Sequence, residues 1–387
     1  MINLIKPFTA DNNTKIFPDG LPFLKPYLPC FSEIENNLRS VISSGMLTKG
    51  NFNALYEKNI GEYIGTPNVI AVSSATTGLI LTLLAMNITG EVLVPAFTFC
   101  ATANAIVRAG ATPVFVDCNP DTYTICPEDL ERKITSGTQA IMAVHVFGVP
   151  AECENLKKIA EKNNLKLIFD SAHAMGSEVN GRKVGGFGDA EVFSTTPTKT
   201  LVTGEGGLIS TNDNALAERI RIMKEYGNNG DYDNAFAGLN GRLSEMQCVL
   251  GIASLQYLKK SISFRNVLAE IYKSTLSDVS GIKFQMVPEN IKTTYKDFSI
   301  VVDETLFGCS RDGLAEELQL MGIATRKYFY PALHEMKAFR NYFRSGLPIT
   351  EYIARNILCL PLYPDLAEED AKKVAVAIRS VQRKNFK

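Results

Sequence analysis

Through the first two thirds of the chain, short apolar and β-branched runs alternate with longer segments whose apolar residues return every three to four positions. The short runs predict strands over 68–72, 91–95, 112–117, 140–147, 166–170, 191–194 and 207–211. The longer segments predict helices over 78–87, 99–109 and 153–163. Several strands, such as Leu167-Ile-Phe169, lack the polar alternation of a half-exposed sheet. That pattern belongs to strands buried on both faces. The fold class is therefore α/β, with a mainly parallel central sheet sandwiched by helices. After about Leu250 the rhythm changes to one long helical stretch over 244–277, strands near 296–302 and 323–329, and a final helix. That helix opens on Asp365, Glu368, Glu369 and Asp370 and closes on Arg383 and Lys384, a charge order that suits the helix dipole. The pattern divides the chain into an N-terminal arm (1–29), a large domain (30–255) and a smaller C-terminal α+β domain (256–387), with no repeat or low-complexity linker.

Composition narrows the class. Of 387 residues 45% are hydrophobic, enough for a sizeable core, which excludes a disordered or collagen-like chain. Lys and Arg number 40 against 41 Asp and Glu, without a block of like charge, so no nucleic-acid or polybasic membrane partner is expected. The apolar stretch 69–88 is cut by Ser73, Ser74, Thr76, Thr77 and Gly78 and is too short to span a bilayer. The first residues lack the order of a signal peptide. The eight Cys form no C-x-x-C pair and read as scattered thiols in a reducing, cytoplasmic setting. With only three His and no clustered Cys, no metal site is expected.

Ligands of open parallel sheets bind beyond the carboxyl ends of the strands, and four such ends are chemically unusual. In Val72-Ser-Ser-Ala-Thr-Thr-Gly78, Ser74 can cap the following helix while the N–H groups of Ala75 and Thr76 face an anion; an ordinary Ser-capped helix is the plainer reading. Asp170, after three apolar strand residues, faces desolvation unless a cation meets it, and His173 lies three residues on. Asp170 as a turn cap and His173 as a core residue remain equally open. Lys199 sits in a Thr- and Gly-rich stretch between buried strands, with Ser194 before it and Thr203-Gly-Glu-Gly-Gly207 after it. Burial lowers the pKa of an amine and fits it for a Schiff base; a surface lysine among turn glycines is the alternative. Phe99, in Pro95-Ala-Phe-Thr-Phe-Cys-Ala-Thr102, either packs in the core or stacks on a planar ligand. The only near-match to a dinucleotide fingerprint, Gly186-Phe-Gly-Asp-Ala-Glu191, precedes a strand instead of following one.

An anion-binding helix, an aromatic, a strand-end Asp and a Lys, in that order, are the parts of a pyridoxal phosphate site. The ordered motifs from Val94-Pro-Ala-Phe-Thr-Phe-Cys-Ala-Thr102 through Asp170-Ser-Ala-His-Ala174, Ser194 with Lys199, and Thr203-Gly-Glu-Gly-Gly207 resemble the DegT/StrS family of nucleotide-sugar aminotransferases. Gly238-Leu-Asn-Gly-Arg-Leu-Ser-Glu245 and Leu360-Pro-Leu-Tyr-Pro364 extend the resemblance to the C-terminal part. It departs from the family at Ala75 (usually Gly), at Phe169 and Ser171 beside the Asp, and at Thr195-Thr196 after the Ser.

The resemblance implies the aspartate aminotransferase fold, pyridoxal 5′-phosphate as cofactor, and a role for each matching position. Lys199 would be the Schiff-base lysine and proton carrier, and Asp170 the partner of the pyridine nitrogen. His173 would contact the ring, Phe99 would stack on it, and Ala75, Thr76 and Ser194 would hold the phosphate. Asn240 would reach that phosphate from a neighbouring subunit, making a homodimer with shared sites. The implied reaction moves an amino group from L-glutamate to a nucleotide-linked keto-6-deoxy sugar, with dTDP-4-keto-6-deoxyglucose aminated at C4 as the leading substrate, for lipopolysaccharide or O-antigen synthesis. The segment Thr325-Arg-Lys-Tyr-Phe-Tyr-Pro331 with His334 matches a substrate-side loop of the family, or packs within the small domain. Among rivals, a pyridoxal-dependent dehydratase would carry His in place of Lys199, a non-catalytic homologue would not need Lys199 or Asp170, and a nicotinamide enzyme lacks its glycine fingerprint.

Overall fold

A computed structural model describes residues 15–231 and 233–385, with side chains to residue 382. Residues 1–14 of the expected arm and the side chains of Arg383 and Lys384 fall outside the described residues. In chain order, helices α1 (Phe31–Ser44) and α2 (Asn51–Ile64) precede β1 (Asn68–Val72), α3 (Ala75–Ala85), β2 (Glu91–Pro95), α4 (Cys100–Arg108) and β3 (Thr112–Val116). Then come α5 (Pro127–Lys133), β4 (Thr138–Val144), α6 (Cys153–Lys162) and β5 (Lys166–Asp170). A short hairpin, β6 (Glu178–Val179) and β7 (Arg182–Lys183), leads to β8 (Ala190–Ser194), β9 (Gly207–Thr211) and α7 (Asn214–Met223).

The seven long strands form one sheet in the order β1-β9-β8-β5-β4-β2-β3. All pairs from β8 to β3 are parallel, and β9 alone runs against its neighbours β8 and β1. The carboxyl ends of β1, β2, β5 and β8 therefore gather on one edge. Residues of β1, β2, β8 and β9 bury one face under α3, α4 and α7, while β3, β4 and β5 bury the other under α5 and α6. The reversed strand explains how Thr203-Gly-Glu-Gly-Gly207 turns back at the very edge where β8 ends.

Helix α8 (Glu245–Leu276) starts from a capping box in which Ser244 and Gln247 serve each other's backbone N–H. Its first half packs with α2, β8 and β9, and its second half packs in a separate core. That second core gathers β10 (Ile282–Phe284), β12 (Phe298–Val302) and β13 (Ile357–Leu360), with α9 (Glu304–Phe307), α10 (Arg311–Leu320) and α12 (Glu368–Asn385). Strand β11 (Ile291–Lys292) joins the β6–β7 hairpin, and α11 (Pro348–Asn356) precedes β13.

Three expectations are corrected. Residues 323–329 are not a strand: Ile323 and Arg326 make single bridges, to Leu21 and Cys359, and the chain between and beyond wraps a pocket. The run 140–147 leaves the sheet at Val144, where His145 turns to accept Ala151 N–H on Nδ1 (3.0 Å) and Phe147 takes a left-handed backbone. Residues 17–24 do not stand off as an arm; Leu21 N–H bonds Gly322 C=O (2.6 Å) and Leu21 C=O accepts Ala324 N–H (3.0 Å). The periodic pattern missed all three because each is decided by contacts distant in sequence.

Candidate active site

At the β1 end, Ser74 caps α3 by accepting Thr77 N–H (3.0 Å), and the first helical bond runs from Gly78 N–H to Ser74 C=O (2.9 Å). Ala75 and Thr76 thus form the open first turn, whose N–H groups carry the positive end of the helix dipole. The strand register sets Gly207 opposite both Val72 and Ser194. A side chain at Gly207 would meet Ala75 N at 2.5 Å and Ser74 O at 2.8 Å, so only glycine lets β9 lie against the helix start. Ser194 is thereby brought beside Ala75 and Thr76, and these three residues form one anion-sized cradle.

At the β5 end, Asp170 is buried. One carboxylate oxygen accepts from Thr102 Oγ1 (2.8 Å) and the other from Ala172 N–H (3.2 Å). Burial pushes its pKa up against these two donors. A carboxylate with two neutral donors and no ion-pair partner among the described residues suits a cationic ligand group. His173 accepts Phe147 N–H on Nδ1 (3.3 Å), which leaves the proton on Nε2, and it lies in a stack with Phe147 and Phe329 (12° and 19° between planes). Burial, then the charges of Lys199 and Lys296, hold its pKa well below the usual value, so it is neutral.

Lys199 stands on a loop closed at its base. Thr195 N–H bonds Gly206 C=O (3.0 Å), Thr203 N–H bonds Thr195 C=O (2.9 Å), and the two hydroxyls meet at 2.7 Å. Lys199 itself is partly exposed, and its N–H bonds Thr196 C=O (3.0 Å). Its amine is pushed down to about 7, first by burial and then by Lys296, with Asp297 and Asp170 opposing. A substantial neutral fraction at ordinary pH makes it a competent nucleophile and proton acceptor.

Phe99, at the start of α4, is 55% exposed and lines a pocket of about 440 Å³ with Arg326, Lys327, Tyr328, Phe329 and Tyr330. It packs on Phe329 at 6.4 Å, so it is neither in the core nor distant from His173. Asn240 is exposed; Gly241 C=O accepts Ser73 N–H (2.8 Å), which keeps that loop near the α3 start. His334 stacks on Phe343 (5.0 Å) with Nε2 3.4 Å from Glu351, within the packing of the C-terminal part.

Ala75, Thr76, Ser194, Asp170, His173, Lys199 and Phe99 thus belong to one edge of the sheet, with Asn240 at its rim. The sequence reading gave no role to Thr102, Phe147, Lys296 or Asp297. Thr102 stood in the Phe99 segment, one helical turn on. Lys296 and Asp297 carry the same signal that marked Asp170, charges against an apolar strand, and they are buried, with both Asp297 oxygens 2.9 Å from Lys296 Nζ.

The model of the DegT/DnrJ/EryC1/StrS aminotransferase family matches residues 31–379. The dTDP-4-amino-4,6-dideoxy-D-glucose transaminase of Escherichia coli is 35% identical over 363 residues, covering 92% of this chain and 96% of that one. The crystal structure of DesI with its TDP-sugar product superposes with a TM-score of 0.91 at 32% identity, covering 96% of this chain and 95% of DesI. Spr1654 of Streptococcus pneumoniae, titled a sugar aminotransferase and solved in PLP and PMP forms, gives TM-scores of 0.87 and 0.88 at 25% identity, over 95% of this chain. The chain belongs to the DegT/DnrJ/EryC1/StrS aminotransferase family, and pyridoxal phosphate is its cofactor.

Proposed function

We propose that this aminotransferase takes an amino group from L-glutamate and delivers it to a nucleotide-linked keto-6-deoxy sugar, with dTDP-4-keto-6-deoxyglucose aminated at C4 as the leading acceptor. The observation that carries the reading is the convergence of an open helix start, an unpaired buried carboxylate and a low-pKa lysine on one sheet edge. The residues fit the cofactor. The cradle of Ala75, Thr76 and Ser194 takes its phosphate, Asp170 its ring nitrogen, and Phe99 its ring face. Bound there, pyridoxal phosphate supplies an electron sink for the carbon whose amino group is exchanged.

The chain's own groups do the rest. Asp170, short of donors, stays ionised opposite a protonated ring nitrogen and keeps that proton in place. Thr102 and Ala172 fix its two oxygens. His173, neutral with its proton on Nε2, donates a hydrogen bond toward the ring without adding charge. Lys199 Nζ accepts a proton from the substrate carbon on one side and returns it on the other, the role its depressed pKa permits. Arg326 and Lys327 give the pocket beside Phe99 the cations that a sugar diphosphate needs. The transaminase name of the Escherichia coli relative supports the dTDP-linked substrate.

The working unit of this reading is a homodimer. Met46, Leu47 and Met246 are exposed apolar residues near Asn240: Glu245 N–H bonds Leu47 C=O (2.9 Å), and Asn240 bridges Glu225, which pairs with Lys49. A second copy covering this face would bring Asn240 to its partner's phosphate cradle. The two cores joined by α8 are read as the large (30–255) and small (256–387) domains of each protomer, and the enzyme as a cytoplasmic one of lipopolysaccharide or O-antigen synthesis. Among the described residues no helix is long and apolar enough to cross a membrane.

Incubation with glutamate and a panel of dTDP-, UDP- and GDP-linked keto sugars tests the substrate; the expected product is the 4-amino dTDP-sugar, and amination of only another carbon or nucleotide sinks that choice. Protein loaded with pyridoxal phosphate should show a visible absorbance band that Lys199→Ala removes. Lys199→Ala and Asn240→Ala proteins, each inactive, should regain up to roughly a quarter of wild-type activity when unfolded and refolded together, since random pairing yields one intact composite site in every mixed dimer. No recovery on mixing rejects the shared site.

A further inference from the structure

Residues 294–297 run along the wall of the site. Thr294 Oγ1 donates to His173 C=O (2.8 Å). Lys296 N–H bonds Phe147 C=O (2.9 Å), while Phe147 N–H serves the His173 ring. Lys296 Nζ then sits between this wall and the far side of the pocket, 5.7 Å from the Tyr328 ring centre, and holds both oxygens of Asp297 at 2.9 Å. The Lys296 and Asp297 side chains are only 4% and 1% exposed. Two opposite charges in such a place are costly to bury, and an apolar pair would pack there at less cost. Packing therefore does not account for them.

We propose that Lys296 and Asp297 are positioning residues for the reaction: a buried pair of opposite charges set against the Lys199 amine, Lys296 favouring its neutral form and Asp297 its charged form. The proposal rests on Lys199 being the reacting lysine. The charged and titratable groups around that amine are Asp170 at the end of β5, neutral His173 in the following turn, and Lys296 and Asp297 ahead of β12. Arg265 of α8 and Cys359 of β13 face the pair from behind. Arg265 stays fixed, donating to Lys296 C=O (3.0 Å), Tyr295 C=O and Leu362 C=O. A positive neighbour favours the neutral amine and a negative one the charged amine. Removing Lys296 thus raises the pH at which Lys199 loses its proton, removing Asp297 lowers it, and removing both returns it toward the starting value.

The test uses the full chain in two states. In the cofactor-loaded enzyme the visible band is titrated with pH. In the same protein freed of cofactor, acetylation of Lys199 by acetic anhydride is followed by peptide mass spectrometry over roughly pH 5 to 10, a range that brackets the expected midpoint. Lys296→Gln keeps a donor for Asp297, and Asp297→Asn keeps an acceptor for Lys296. The expected midpoints move up and down respectively by about half a pH unit or more, the double variant lies near wild type, and Lys296→Arg leaves the midpoint in place. The swap Lys296→Asp with Asp297→Lys retains a buried pair, so it reads the effect even if a single variant misfolds; its midpoint should rise. Singles that both stay at the wild-type midpoint, or move in the same direction, overturn the proposal, as does an unmoved swap. Acetylation does not depend on cofactor, so a missing visible band would instead reject Lys199 as the cofactor lysine.

Discussion

Three helices begin at the edges of this molecule without enough local donors' partners, and they are treated in two ways. Helix α2 starts after Gly50, which has no side chain to cap it; Glu245 supplies one from α8, accepting the N–H groups of Gly50, Phe52 and Asn53 at 2.9, 2.9 and 3.0 Å. Helix α11 starts after Leu347, equally unable to cap; Asp117, at the end of β3, accepts Ile349 and Thr350 N–H at 3.1 and 2.7 Å. Helix α3 has its own cap in Ser74, yet the start at Ala75 and Thr76 receives no carboxylate. A buried helix start normally has its N–H groups satisfied, and a protein anion does so at α2 and α11. At α3 the place is kept for an anion that is not part of the chain. The difference separates a carboxylate that fastens two elements from a vacancy that binds a ligand.

The sharpest way to break this contrast is to remove the fastening carboxylates. Glu245→Ala should lower stability by about 3 kcal/mol, since three N–H groups lose a charged acceptor in a buried setting, and Asp117→Ala by about 2 kcal/mol. Urea unfolding read by circular dichroism measures both, and each variant should keep its cofactor band while folded. A loss of cofactor binding without a loss of stability would reverse the assignment of Glu245. The complementary change supplies α3 with the carboxylate it lacks. Ala75→Asp should weaken pyridoxal phosphate about a hundredfold, by occupying and repelling at the same place, while raising the stability of the cofactor-free protein by about 0.5 kcal/mol. Equilibrium titration of the visible band and thermal unfolding of the cofactor-free form report the two effects. Unchanged cofactor affinity would remove Ala75 from the phosphate cradle.

The same contrast explains what the sequence made legible. Strands β1, β2, β5 and β9 follow their apolar runs residue for residue, because burial on both faces leaves no polar position to blur the ends. Ser74, Asp170 and Lys199 stood out because each places polarity where local burial forbids it. Glu245 and Asp117 bury a charge just as fully, yet each sits at a helix start or strand end where an acid is unremarkable. Residues 323–329 have the composition of a strand, but no neighbouring strand is available to pair with more than Ile323 and Arg326.

By itself the sequence determined the α/β rhythm, the sheet strands, the long helix from Ser244 to Ser277, and the residue types of a pyridoxal phosphate site in their order. Those are properties of local periodicity and of single residues set against their immediate neighbours. Only the tertiary structure decided that β9 runs backwards and lays Gly207 on the start of α3, that Thr102 holds Asp170, and that Lys296 and Asp297 stand against Lys199. Each joins segments far apart in the chain, and the energy of such a contact comes from burial and register that no local window of sequence contains.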